Sequence, residues 1–401
     1  MGARLLRFRQ LADSGYGEVK EVSVADKPLD ESVGKKRSVV VLVFWMLLAI
    51  CSWLLIAWAL GIDEAARENI AIQQSSLQQI EESKTSITEI ELLENVRFLS
   101  HKNMEGRGTI RPTEGGYEFP SLFLARELQE YGLKPLGDPA DPKESLNIGP
   151  SRSYFQKFKV WGEVYSHNVI GFFEGENKEE VIVIGAHYDH MGKDTRGEIY
   201  YGADDNASGT AAVLEIAEAL SILKSKGIVL KRSVLIAFWG AEEIGDGLLG
   251  SEYFVTHPPA EVPVTSIIAV LNLDMIGRNN PNELYVLGAP GKKNFEEVSP
   301  DLCKLTLKLN ERQEFNFKLV YDDGADCFSR SDQYSFFKAK AKDKIPVIFY
   351  FTGEHPDYHT PRDTFEKLNY SKMAKITKLT FLMCWEISEL PHRPIYVEES
   401  K

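Results

Sequence analysis

Short apolar runs alternating with helix-spaced stretches organise most of this chain. The runs at 181–186, 233–239, 266–273 and 345–350 are rich in β-branched and other large apolar residues. Runs of that length and character read as central strands buried on both faces. Between and after them, apolar residues recur at helical spacing over 207–222, 248–256, 298–311 and 369–388. Strand and helix in alternation predict a three-layer α/β/α fold around a mostly parallel central sheet. Upstream, 155–164 and 168–173 read as strands, 120–131 as a helix ended by Gly132, and 87–99 as another helix. Proline and glycine clusters at 135–150 and 279–293 predict surface loops. There is no internal repeat and no low-complexity tract.

The N-terminal pattern differs. Ser38 to Ile62 holds no charged residue and is dense in Val, Leu, Ile and Trp. As a helix, its 25 residues would reach about 37 Å, enough to cross a hydrocarbon core of about 30 Å. Residues 1–37 carry eight Lys/Arg, against only Arg67 among residues 63–77. The positive-inside rule then predicts a single uncleaved transmembrane helix, the N-terminus in the cytoplasm and the large domain outside. A cleaved leader would have a shorter apolar core and a small-residue cleavage site, and Gly61-Ile62-Asp63 offers none. The expected organisation is a disordered tail at 1–37, the anchor at 38–62, and a stalk or lead-in helix at 63–86. The main domain follows at 87–392, with a short tail at 393–401.

The chain has 401 residues and a formal charge of −13. Its tail carries eight basic and six acidic residues, a net of +2, so the remainder carries −13 − 2 = −15. With no basic stripe on any predicted element, nucleic acid is excluded as a partner. Of four cysteines, Cys51 lies in the apolar segment, and Cys303, Cys327 and Cys384 form neither a disulfide framework nor a thiolate metal motif.

The chemistry gathers where the apolar runs end. The first is followed by His187-Tyr188-Asp189, the second by Glu242-Glu243, the third by Asp274, and the fourth, taken to Phe351, by His359 eight residues on. Asp204 and Asp205 stand in the turn GADDNASG. Ligands of open α/β sheets collect at the carboxyl ends of strands. Histidines and carboxylates from several such ends describe a site for hard-to-borderline metal ions. Asp205 is the best candidate for a shared carboxylate between two ions, because small residues around it let the backbone come close. Asp189 faces the same side as His187 and is placed to accept that ring's other N–H. Of Glu242 and Glu243, one can bind metal while the other takes a proton from the bound water.

In order along the chain, AHYDH, GADDNASG, WGAEE with a following LLGS, LNLDMIGR and DYHTPRDT resemble the co-catalytic di-zinc aminopeptidase family, which includes the secreted bacterial leucine-type aminopeptidases and aminopeptidase Y. MEGRG at 104–108 and YGLKP at 131–135 resemble that family's lead-in, so the likeness covers roughly 87–390. The resemblance implies two zinc ions, with Asp205 as the bridge, His187 and Asp274 completing one site, and Glu243 and His359 the other. It implies Glu242 as general base toward a zinc-bound water, then acid to the leaving amine, and Tyr358 as a donor to the oxyanion. The implied activity is removal of N-terminal residues from peptides outside the cytoplasm. Alternatives are a related zinc glutaminyl cyclase, or an inactive relative serving as receptor or scaffold. Side-chain preference and oligomeric state are left open. The histidines at 101, 167, 190, 257, 355 and 392 are expected to be surface or structural. Two departures from the family pattern stand out: Ser331-Asp332-Gln333 where Ser-Asp-His is common, and two extra residues after the paired acids.

Overall fold

The computed structural model describes residues 46–55, 64–109, 118–139, 152–245, 247–289, 295–322, 327–339 and 344–397. The chain divides into two units, residues 1–73 and 74–401. In the first, 46–55 are helical. The rest of the predicted span 38–62 lies outside the described residues, and among those described no helix is long and apolar enough to cross a membrane.

Among the described residues, the second unit is built on a nine-stranded sheet. Its strands are β1 (Lys134–Pro135), β2 (Phe155–Trp161), β3 (Val164–Phe173), β4 (Asn177–His187), β5 (Arg232–Trp239), β6 (Ile267–Leu273), β7 (Glu283–Leu287), β8 (Lys318–Val320) and β9 (Val347–Phe351). The order is β1-β3-β5-β4-β6-β9-β7-β8, with β2 paired to β3. The four apolar runs become β4, β5, β6 and β9, which lie side by side and parallel. The flanking strands β3 and β7 join that block antiparallel. The sheet is therefore mixed at its edges and parallel at its centre.

Every residue of β5, β6 and β9 is buried, as an apolar run without alternation requires. On one face, Leu235, Ala237 and Trp239 of β5 and Val347, Phe349 and Phe351 of β9 share a core cluster with Phe254 and Phe336. Those two phenylalanines sit on α5 (Leu249–Thr256) and α7 (Gln333–Phe337). The other face is covered by α4 (Gly209–Ser225) and α8 (Tyr370–Glu389), which also pack on α2 (Glu89–Leu99) and, for α8, on α6 (Pro300–Asn310). Further helices include α1 (Glu64–Lys84), which begins before the unit boundary, and α3 (Glu118–Glu130).

The lead-in helix and the helix read after it are separate elements, α1 and α2, divided by the non-helical residues 85–88. Thr88 caps α2, accepting from Glu91 N–H at 3.2 Å and donating to the Glu91 carboxylate at 2.8 Å, a reciprocal cap that starts a new helix. The cluster at 279–293, expected to be loop, contains β7. Turn-forming residues on either side hid a five-residue strand that pairs with β9 through Leu287 and Phe349.

Candidate metal centre

The parallel strands all deliver their ends to one place. His187 closes β4 beside Trp239 of β5, so Glu242 and Glu243 emerge next to it. Asp274 follows β6 directly. The turn carrying Asp204 and Asp205 runs into α4, whose first residue, Gly209, approaches the end of β6. A Cβ there would stand 2.2 Å from the Leu273 carbonyl oxygen, so no side chain fits. Asn206 stitches the same two segments, donating to Leu273 O at 3.0 Å and accepting from Met275 N–H at 3.3 Å.

Asp205 is almost fully buried, and its two oxygens face different groups. Oδ1 lies 3.4 Å from His187 Nε2, which is also 3.4 Å from Asp274 Oδ1. Oδ2 lies 3.1 Å from His359 Nε2, which is also 3.1 Å from Glu243 Oε2. Asp205 Oδ2, Asp274 Oδ1 and His359 Nε2 are buried without a hydrogen-bond partner among the described residues. Converging, unpaired oxygen and nitrogen donors fit cations, and the mix of imidazole with carboxylate suits zinc or another borderline ion. All five ligands expected from the sequence are brought together.

The surroundings fix these side chains. Ser331 donates to Asp274 Oδ2 at 2.7 Å, leaving Oδ1 toward His187. Asn272 holds Ser331 at 2.8 Å and Gln333 Oε1 at 2.9 Å, while Gln333 Nε2 donates to Phe328 O. The glutamine that departs from the family pattern is thus a prop for the segment that orients Asp274. Asp189 does not hold the His187 ring as expected. Its carboxylate is 3.8 Å from Nδ1, which lies nearer the Asp189 carbonyl at 3.3 Å. The carboxylate instead accepts the main-chain N–H groups of Glu242 at 3.0 Å and Glu243 at 3.3 Å. The strand end turns there and presents two free amides, a stronger demand on a nearby carboxylate than one ring nitrogen.

Three buried residues absent from the expected set also shape the site. Arg107, within MEGRG, donates to the carbonyls of Leu99, Tyr188, Tyr201 and Gly202 at 2.7–2.9 Å. Asp363, in DYHTPRDT, accepts the amides of Asp204 and Asp205 at 3.0–3.1 Å. The turn is therefore gripped through carbonyls by a cation and through amides by an anion. His190, read as surface or structural, is fully buried with Nδ1 2.8 Å from Glu243 Oε1. His355 is also buried, but its Nε2 faces Asp204 at 3.3 Å and not the five donors.

The charges are strongly coupled. Burial disfavours the His187 cation, yet Asp274, Glu242 and Asp205 outweigh it and hold the ring well above its usual range. Burial likewise opposes the His359 cation, but Asp205 and Glu243 carry it up to about 10. Burial would raise Asp205, and its histidine partners instead hold it well below the ordinary carboxylate range. Glu242 is raised well above that range, first by burial, then by Glu243, Asp332 and Asp274 against the opposing pull of His187. Glu242 thus favours a proton while its neighbours Asp205 and Glu243 are held ionised by their histidine partners, a contrast suited to an acid–base group. Tyr358 stacks on His359 with ring centroids 3.8 Å apart, and its hydroxyl accepts from Arg330 at 3.1 Å.

The profile of Peptidase family M28 matches residues 168–383. The chain belongs to that family. A curated relative named a probable leucine aminopeptidase, from Trichophyton verrucosum, is 30% identical over 216 residues, covering 52% of this chain and 55% of the relative. The chain spans about half the length of the curated relatives it matches. Among solved structures, the LapA aminopeptidase of Legionella pneumophila matches with TM-score 0.58 and 23% identity, over 79% of this chain and 76% of that one. The Porphyromonas gingivalis glutaminyl cyclase matches with TM-score 0.54 and 18% identity, over 75% and 98%. Both structural likenesses concern the fold.

Proposed function

We propose that this chain is a membrane-anchored zinc aminopeptidase that hydrolyses N-terminal peptide bonds outside the cytoplasm. The observation that carries the reading is the division of Asp205: each oxygen faces its own histidine and its own second carboxylate. One carboxylate shared between two His–carboxylate pairs is what a two-ion site needs. His187 and Asp274 would hold one zinc, Glu243 and His359 the other, with Asp205 between them. The M28 membership and the aminopeptidase names of its relatives support the reaction class.

When bound, the two ions polarise the scissile carbonyl and make water nucleophilic at neutral pH. Glu242 takes the proton of the attacking water and hands it to the leaving amine, converting a poor leaving group into a neutral one. Burial raises its proton affinity, which suits the acceptance of the water's proton. Asp189, clamping the amides of Glu242 and Glu243, sets where the two adjacent acids diverge. Tyr358 accepts from Arg330, so its own proton is free to be given to the oxyanion that forms on the substrate.

Placement rests on the charge asymmetry around the apolar segment 38–62. The test of activity is a peptide-library digest with the full-length protein, products read by mass spectrometry. Stepwise loss of N-terminal residues, abolished by chelation and restored by zinc, is expected. Conversion of N-terminal glutamine with loss of ammonia would indicate a cyclase instead, and no turnover would indicate a scaffold. Protease added to intact cells should digest the large domain and spare an N-terminal tag. Digestion of the tag alone would reverse the orientation.

A further inference from the structure

We infer that His190 is a positioning residue of the metal centre, holding the Glu243 carboxylate so that only Oε2 faces the ion shared with His359. This rests on the two-ion reading above. AHYDH ends in His190, whose ring is fully buried, whereas a solvated structural histidine would reach the surface. Its Nδ1 lies 2.8 Å from Glu243 Oε1, a good hydrogen-bond distance. The other oxygen, Oε2, is the one 3.1 Å from His359 Nε2. Each oxygen of Glu243 thus meets a different imidazole. Asp205 Oδ2 is 3.7 Å from His190 Nδ1, too far for a second hydrogen bond, so the contact is selective for Glu243.

The seat of the ring is built. The His190 N–H donates to Arg107 O at 3.3 Å, joining it to the residue that grips the Asp205 turn. Gly202 has φ +57°, and a Cβ there would stand 2.5 Å from His190 Cγ and Cδ2, so the ring lies flush against bare backbone. The rings of His190 and His359 meet edge-on, with centroids 5.8 Å apart. A carboxylate with both oxygens free can swing between one-oxygen and two-oxygen coordination. With Oε1 tied to an N–H donor, Glu243 presents one oxygen in a fixed direction, as partners behind a ligand do elsewhere. Nε2 is buried without a hydrogen-bond partner among the described residues.

The test measures zinc affinity, by chelator competition, and cobalt absorption spectra on full-length wild type, His190→Ala and His190→Gln. Two zincs on wild type test the two-ion reading independently of His190. For His190→Ala, the affinity of one zinc should fall 10- to 100-fold while the other is unchanged. His190→Gln, which keeps an N–H donor, should recover part of that loss, as should free imidazole added to His190→Ala. The fully loaded cobalt spectrum should keep its wild-type bands. Unchanged affinity in both variants would remove His190 from the centre. A change of cobalt bands signalling a lost nitrogen ligand would make it a direct ligand and overturn the positioning role.

Discussion

The guanidinium of Arg107 donates from Nη2 to the main-chain carbonyl of Gly202 at 2.7 Å, three residues before Asp205. The same side chain reaches Leu99, Tyr188 and Tyr201, so one fully buried cation ties the lead-in segment to two loops of the metal centre. Burial pulls its pKa down to about 10, with Asp205, Asp363, Asp189 and Glu243 opposing, so it remains charged at neutral pH.

Arg107→Lys keeps the charge but cannot span four carbonyls from one compact ammonium. Leaving buried acceptors unmet should cost about 3 kcal/mol of stability, and the Asp205 turn should loosen. Thermal unfolding and zinc content on the same preparation check this. A variant with wild-type Tm and both zincs would show that the turn holds itself.

Ligand removal should act unequally. Asp205→Ala takes a donor from both sites and should weaken both zincs, whereas His359→Ala should weaken chiefly the one it faces. Chelation of wild type should lower Tm, since a bound ion stabilises only the folded state and its loss leaves clustered carboxylates facing each other. Elemental analysis below one zinc per chain after zinc-replete purification would defeat the two-ion reading.

Much of this was legible in the chain because strand ends are local features. His187 ends β4, Asp274 directly follows β6 and Glu243 lies in the turn just after β5, and the sheet order then brings those ends together. What the sequence hid was reach. Nothing local in MEGRG says that Arg107 spans segments around residues 99, 188 and 202, nor that Asp363 turns back onto the Asp205 amides. His190 and His355 looked alike, and only tertiary packing aims one at Glu243 and the other at Asp204. The strand β7 was concealed because its pairing partner, β9, lies about sixty residues downstream.

A pH effect separate from the metals is expected at His167 on β3. Burial, reinforced by Lys157, lowers its pKa from 6.5 to about 4. Between those values the unfolded chain binds more protons than the folded one, so stability rises with pH across that window. The contribution is complete above about pH 6.5 and is lost as pH falls toward 4. It should be on the order of 2 kcal/mol for a group that keeps some exposure. His167→Gln should flatten the Tm–pH curve between pH 4 and 6.5 relative to wild type. Parallel curves would assign the acid sensitivity to other groups.

Glu242→Gln separates a working enzyme from a scaffold. Amide and carboxylate have nearly the same shape, and Glu243 faces the His359 donor set, so the variant should fold and bind both zincs. The main-chain clamp from Asp189 to residues 242 and 243 does not depend on the side chain at 242. What is lost is the proton carrier. Turnover of an amino-acid anilide should fall by about two to four orders of magnitude. KM should change far less, because the missing function acts in the transition state. If Glu242 were merely structural, the variant would lose Tm without a selective loss of kcat. Kinetics, zinc content and Tm on one preparation distinguish these, and near-normal turnover with both zincs present would take Glu242 out of the chemistry.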